Sequence, residues 1–148
     1  MRHARWIAAL VTVLAGAGRA EAACTVSATG VSFGSYNVFT ATATTSNGTV
    51  TYHCGNADHN IQISISTGSS GTYVARTLKR SSEALSYNLY LDSAFATVWG
   101  DGSGVTGVYQ KSNPPNSDVN LTVYGRIPAQ QDVTVGSYSD TVVATINF

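Results

Sequence analysis

Apolar side chains in this chain recur at every second position. Ile61, Ile63 and Ile65 alternate with Gln62, Ser64 and Ser66. Val142, Ala144, Ile146 and Phe148 alternate with Thr141, Val143, Thr145 and Asn147. A strand sends successive side chains to opposite faces, so this period describes strands with one buried face. An amphipathic helix would need a period of about 3.6. Composition points the same way. From residue 23 onward there is one Glu and there are two Lys, whereas Thr, Val, Ser, Tyr and Gly abound. Helix-surface residues are scarce and sheet-forming residues dominate. The chain reads as all-β.

The N-terminus reads as a targeting segment. Arg2, His3 and Arg5 form a basic start, and Trp6 to Ala17 is a mostly apolar run. That run is too short for a membrane span, which takes about 20 residues. Ala20-Glu21-Ala22 fits a small-x-small cleavage site. Residues 1–22 are therefore expected to be a secretory signal peptide, and residues 23–148 a single domain large enough to bury a core. A lipobox ending at Cys24 is the rival reading, but Glu21-Ala22-Ala23 matches it poorly.

The expected mature chain carries Arg76, Lys79, Arg80, Lys111 and Arg126 against Asp58, Glu83, Asp92, Asp101, Asp118, Asp132 and Asp140. Five cations against seven anions make it mildly acidic, with one basic cluster at Arg76, Lys79 and Arg80. Nucleic acid is not an expected partner, because phosphate binding needs a basic surface. Cys24 and Cys54 follow a secretory signal, so an oxidising compartment and a structural disulfide are expected. Closing that loop contributes about 3.7 kcal/mol in the chain-entropy model.

Strands are expected over Cys24 to Phe33, with a slip at Gly30, and over Thr49 to Cys54. Further strands are expected near Ile61–Ile65, Tyr73–Leu78, Leu85–Leu91, Thr97–Trp99, Val119–Val123 and Thr141–Phe148. Residues 40–48 read as a loop ending in an Asn47-Gly48 turn, and residues 111–118 as an irregular connection. Seven or eight short strands at this spacing predict a two-sheet sandwich.

No catalytic constellation stands out, so neither an enzyme nor a cofactor is expected. His53, Asp58 and His59 sit about one turn and read as solvated surface. Asp101 lies between glycines, but one carboxylate is too few for calcium, which takes about six to eight oxygens. Asn47-Gly-Thr49 and Asn120-Leu-Thr122 match a glycosylation acceptor, a triplet short enough to arise by chance. Trp99 and the tyrosines offer a candidate sugar-stacking surface.

These pieces together resemble the spore coat protein U domain family, which includes subunits of archaic chaperone–usher pili. The residues that carry the likeness begin with Cys24, Val31-Ser-Phe33-Gly34 and Cys54. Arg76-Thr-Leu78, Leu85-Ser-Tyr87-Asn-Leu89-Tyr-Leu91-Asp92 and Trp99-Gly-Asp-Gly102 follow. Val123-Tyr-Gly125-Arg-Ile127-Pro128 and Gly136-x-Tyr138-x-Asp140 complete the pattern. The resemblance implies an immunoglobulin-like sandwich that lacks its last strand and is completed by a donor strand. It places the acceptor edge at Thr141, Val142, Val143, Ala144, Thr145, Ile146, Asn147 and Phe148. It implies a periplasmic chaperone, an outer-membrane usher and neighbouring pilus subunits as partners, and a route through the periplasm to the cell surface. A surface or glycan is a further candidate partner. Polymerising pilins carry a donor segment before the first cysteine. Cleavage after Ala22 would leave only Ala23 there, so the expectation is a subunit that accepts a strand and gives none, as at a fibre tip. The alternatives are a self-contained secreted coat protein and a carbohydrate-binding module.

Overall fold

A computed structural model of the chain describes residues 24–55 and 60–148. Asp58, His59 and the expected signal peptide lie outside the described residues. Eight strands form among the described residues: β1 Cys24–Thr29, β2 Thr44–Cys54, β3 Asn60–Ile65, β4 Arg76–Arg80, β5 Glu83–Tyr90, β6 Tyr109–Ser112, β7 Val119–Ile127 and β8 Ala144–Asn147. The one helical element among the described residues is a single 3₁₀ turn, Gly68–Ser70.

The strands make two antiparallel sheets, in the orders β1-β2-β7-β5-β4 and β6-β3-β8. The core lies between them and is built by alternation. Val50, Tyr52 and Cys54 come from β2, and Ile61, Ile63 and Ile65 from β3. Leu85, Tyr87 and Leu89 come from β5, and Val123 and Ile127 from β7. The Cys24–Cys54 disulfide forms where β1 and β2 start their register, with the two residues directly opposite.

Several boundaries differ from the sequence reading. Asn47 and Gly48 are not a turn: β2 runs through them, opposite Tyr124 and Val123. Gly48 is there because the chain leaving β1 passes over it. A Cβ on Gly48 would sit 2.7 Å from the Thr29 carbonyl oxygen and 2.9 Å from Val31 Cγ2. The first strand pairs only as far as Thr29 rather than Phe33, β4 is centred later than Tyr73–Leu78, and β6 occupies part of the expected irregular connection. Thr97–Trp99 makes only single bridges, Tyr90 with Val98 and Trp99 with Gly107. The final strand is narrower than Thr141–Phe148, although its alternation begins earlier, as described below.

Arg76 does not join a basic surface cluster. It is 0% exposed and lies between the sheets. Its Nε donates to the Ser66 carbonyl at 2.9 Å, and Nη1 to Asn88 Oδ1 at 2.6 Å. Its Nη2 donates to the carbonyls of Trp99 at 2.7 Å and Ile65 at 3.3 Å. Four acceptors satisfy the guanidinium and in turn pin β3, β4, β5 and the Trp99 segment together.

Candidate functional site: a groove between two sheet edges

β1 is the outer strand of one sheet and pairs only with β2; β8 is the outer strand of the other and pairs only with β3. Between these two edges lies a cavity of about 140 Å³. One rim is Ala28 to Val31 with Phe33; the other is Val142 and Ala144. The floor is apolar, with Val50, Ile65, Leu78, Leu89 and Val123.

The first rim is built by two glycines. Val31 and Phe33 lie across β2 and β7 where a side chain is missing: a Cβ on Gly125 would meet Val31 Cγ1 at 2.7 Å and Phe33 Cζ at 2.8 Å. Phe33 then meets Tyr87 edge-on, ring centroids 5.9 Å apart. Inward Val31 and Phe33 alternate with exposed Ser32 and Gly34, yet no residue from 30 to 36 makes a backbone–backbone hydrogen bond among the described residues. This stretch is extended chain with an open ladder. Ser46 Oγ steadies it by donating to the Ser32 carbonyl at 2.6 Å.

The second rim follows the expected alternation. Val142, Ala144 and Ile146 are half-buried against the core, while Thr141, Val143, Thr145 and Asn147 are exposed. Phe148 departs from its face, being 57% exposed.

Asp140 places this rim. The chain bridges to β4 through paired bonds between Lys79 and Ser139, at 2.7 and 3.1 Å. It then crosses to the other sheet, where the Ser66 amide donates to the Val143 carbonyl at 2.9 Å. Asp140 sits at the crossing. Its Oδ1 accepts the amides of Ser69 and Thr141, both at 2.9 Å, and its Oδ2 accepts the Tyr87 hydroxyl at 2.7 Å. Desolvation works against the carboxylate, but these donors outweigh it and hold its pKa below the usual 3.8. Burial first, and Asp140 second, push the Tyr87 pKa up, so its hydroxyl stays a donor. Gly68, at φ +66°, leaves room for the carboxylate; a Cβ there would overlap it. Arg76, Asn88 and Asp140, which position the groove, were not singled out as site residues by the sequence reading. An arginine inside a strand-forming apolar stretch was the available signal.

Other candidates do not assemble a reactive centre. His53 Nδ1 meets Asp118 Oδ1 at 2.9 Å on the surface. Asp101 closes a turn through the Ser103 amide. No group of three His, Cys, Asp or Glu that could hold a metal ion occurs among the described residues. Trp99 is 1% exposed and donates its indole N–H to the Ile63 carbonyl at 2.9 Å. It is a core residue whose edge lines a cleft beside Tyr124.

An antiparallel sandwich with two open edges defines the class: an immunoglobulin-like β-sandwich. The chain belongs to the Spore Coat Protein U domain family, whose model matches residues 9–145. It is 43% identical over 68 residues to Protein U of Myxococcus xanthus, a match covering 46% of this chain and 36% of that protein. Its fold is similar to the crystal structure of the CsuC–CsuE chaperone–tip adhesion subunit pre-assembly complex from the archaic chaperone–usher Csu pili of Acinetobacter baumannii. That likeness has a TM-score of 0.62 at 20% identity, covering 86% of this chain and 40% of that one. The chain thus spans well under half the length of both relatives.

Proposed function

We propose that this protein is a secreted subunit of a chaperone–usher surface fibre that accepts a donor β-strand in the groove. The supporting observation is the pair of unpaired edges, residues 30–35 and β8, facing one another across an apolar floor. A strand laid between them would pair its backbone on both sides and place alternate side chains inward, once β8 moves away from β1. The Cα atoms of β1 and β8 approach within 8 Å, where a strand between two others needs roughly 9.5 Å. Thr141 to Phe148 is the acceptor edge in this reading. A periplasmic chaperone lends the strand first, and a neighbouring subunit replaces it at the outer-membrane usher. Burying four or five large side chains would contribute on the order of 10 kcal/mol. Whole domains are stable by only about 5–15 kcal/mol. The donated strand would therefore decide whether the fold persists.

The finer reading is a place at the fibre tip. A chain cleaved after Ala22 keeps one residue ahead of Cys24, too little for a donor strand. N-terminal sequencing of the secreted protein tests the cleavage, and the absence of self-polymers with the chaperone present tests the role. A second reading, a self-contained coat protein, is favoured by the family's description.

Periplasmic expression with and without an immunoglobulin-like chaperone separates the two. The expected result is a one-to-one complex, and a chain that without chaperone aggregates or unfolds at low denaturant. A soluble monomer that unfolds cooperatively and gains nothing from the chaperone would establish the coat-protein reading instead.

A further inference from the structure

The outward face of the five-stranded sheet carries a second arrangement, on the other side of β5 and β7 from the groove. Tyr90 and Tyr124 are partners across these strands, at positions that alternate with the buried ones. Phe95 meets Tyr90 edge-on, with ring centroids 5.5 Å apart and planes at 84°. Arg126, two residues beyond Tyr124, holds its guanidinium 5.5 Å from the Phe95 centroid. Arg126 is exposed, and its guanidinium has no hydrogen bond or ion pair among the described residues.

Phe95 occupies this position against its backbone preference. Its φ is +56°, a region that bulky residues rarely adopt. Asp92 enforces the turn. Its carboxylate accepts the amides of Ala94, Ala96 and Thr97 at 3.0, 3.1 and 2.8 Å, and its carbonyl accepts the Phe95 amide at 3.2 Å. Glycine or asparagine would make this turn without strain. What the strain maintains is an aromatic ring on an outward sheet face, under a free cation. Strain of this kind is retained where the surroundings hold it for a use.

A cleft of about 230 Å³ opens beside Tyr124, where β5 leaves β7 after Tyr90. Asn120 and Thr122 line it, with Leu91 and Tyr109. The Thr51 hydroxyl donates to Asn120 Oδ1 at 2.7 Å, which fixes the amide and leaves its NH₂ without a partner among the described residues. That volume falls below the roughly 300–1,000 Å³ of sites for drug-sized ligands. Arg126 lies four and six residues along β7 from Thr122 and Asn120, roughly 13 and 20 Å at about 3.3 Å per residue, so a ligand that reaches both ends is an extended oligosaccharide.

We propose that this face binds a carboxylated saccharide, of the uronic or sialic acid class. The aromatic rings take the apolar C–H face of one sugar ring, and Asn120 and Thr122 bond hydroxyls of another further along the same oligosaccharide. Arg126 takes its carboxylate through the planar fork that guanidinium offers. One cation on the patch matches one carboxylate, and it is too few for a nucleic acid backbone. The face is separate from the strand-accepting groove, so both can be occupied together.

The test is calorimetric titration of the full chain as purified from periplasm with oligogalacturonate, oligoglucuronate and a sialylated oligosaccharide, each against its neutral counterpart. Saturable binding of at least one carboxylated probe is expected, tighter than its neutral counterpart by about tenfold or more. Arg126→Gln should weaken that binding about 10- to 100-fold without changing the thermal unfolding midpoint. Phe95→Leu, which keeps an apolar contact but removes the ring face, should weaken it too. No saturable binding to any carboxylated probe, equal affinity for the neutral one, or unchanged binding by Arg126→Gln would each overturn the proposal.

Discussion

Arg76 shows how one buried cation is tolerated. Burial pulls its pKa down, and among the described residues no carboxylate touches it directly, so its charge is met by carbonyl oxygens and Asn88. Lysine carries the charge but not the planar fork. Arg76→Lys should therefore cost about 1.5–3 kcal/mol, the range for hydrogen bonds to a charged group. Urea unfolding checks it, and a loss under about 1 kcal/mol, the worth of an ordinary hydrogen bond, would show the network to be dispensable. Acid sensitivity also belongs to single residues. Glu83 accepts the Thr134 hydroxyl at 2.6 Å, the Tyr138 hydroxyl at 2.5 Å and the Thr134 amide at 3.0 Å. These bonds bring its pKa from 4.5 to about 2. Asp140 is lowered as well. Both folded-state values lie below the unfolded ones. Their contribution is thus fully present above about pH 4.5 and is lost as pH falls toward 2. The thermal midpoint should be flat from pH 7 to 5 and decline below, and Glu83→Gln should lower the midpoint at pH 7 and make the decline shallower.

At the scale of elements, glycine marks where chain crosses chain. Asn47-Gly48 carries a strong local turn signal, yet it lies mid-strand because only glycine lets residues 29–31 cross β2 at that height. Gly125 repeats the arrangement on β7 beneath Phe33. Gly48→Val should overpack this crossing and cost about 1–3 kcal/mol, seen as a lowered denaturant midpoint with unchanged slope. If it were a simple turn, the substitution would act locally and leave the groove intact. The inward Ile61, Ile63 and Ile65 were legible, with the strand's ends off by at most one residue, because a strand buried on one face and paired on both edges must alternate. Thr97–Trp99 was less so: its residues favour strand, but the neighbouring chain permits only single bridges.

For the molecule as a whole, the disulfide and the open edges oppose one another. Cys24–Cys54 ties the first strand to the sheet next to the groove, with Cα atoms 4.1 Å apart and a separation of 30 residues. Replacing both cysteines by serine should cost about 2–4 kcal/mol. Under the proposed strand-accepting role, that loss should abolish periplasmic accumulation unless the chaperone is supplied. Recovery of soluble double mutant without chaperone would show that the sandwich is complete by itself.

The sequence by itself determined the all-β class, the approximate number of strands and the inward faces of most of them. Period-two patterning is a local property, and each strand carries its own copy of it. It also supplied the motifs that mark the spore coat protein U family and the cysteine pair that closes on β2. Only the tertiary structure decided that Arg76 and Trp99 are core, that Gly48 is a crossing point, and that two edges face each other across a groove. Those features arise from segments far apart in the chain, where burial and close approach depend on what lies opposite. No window of neighbouring residues contains that information.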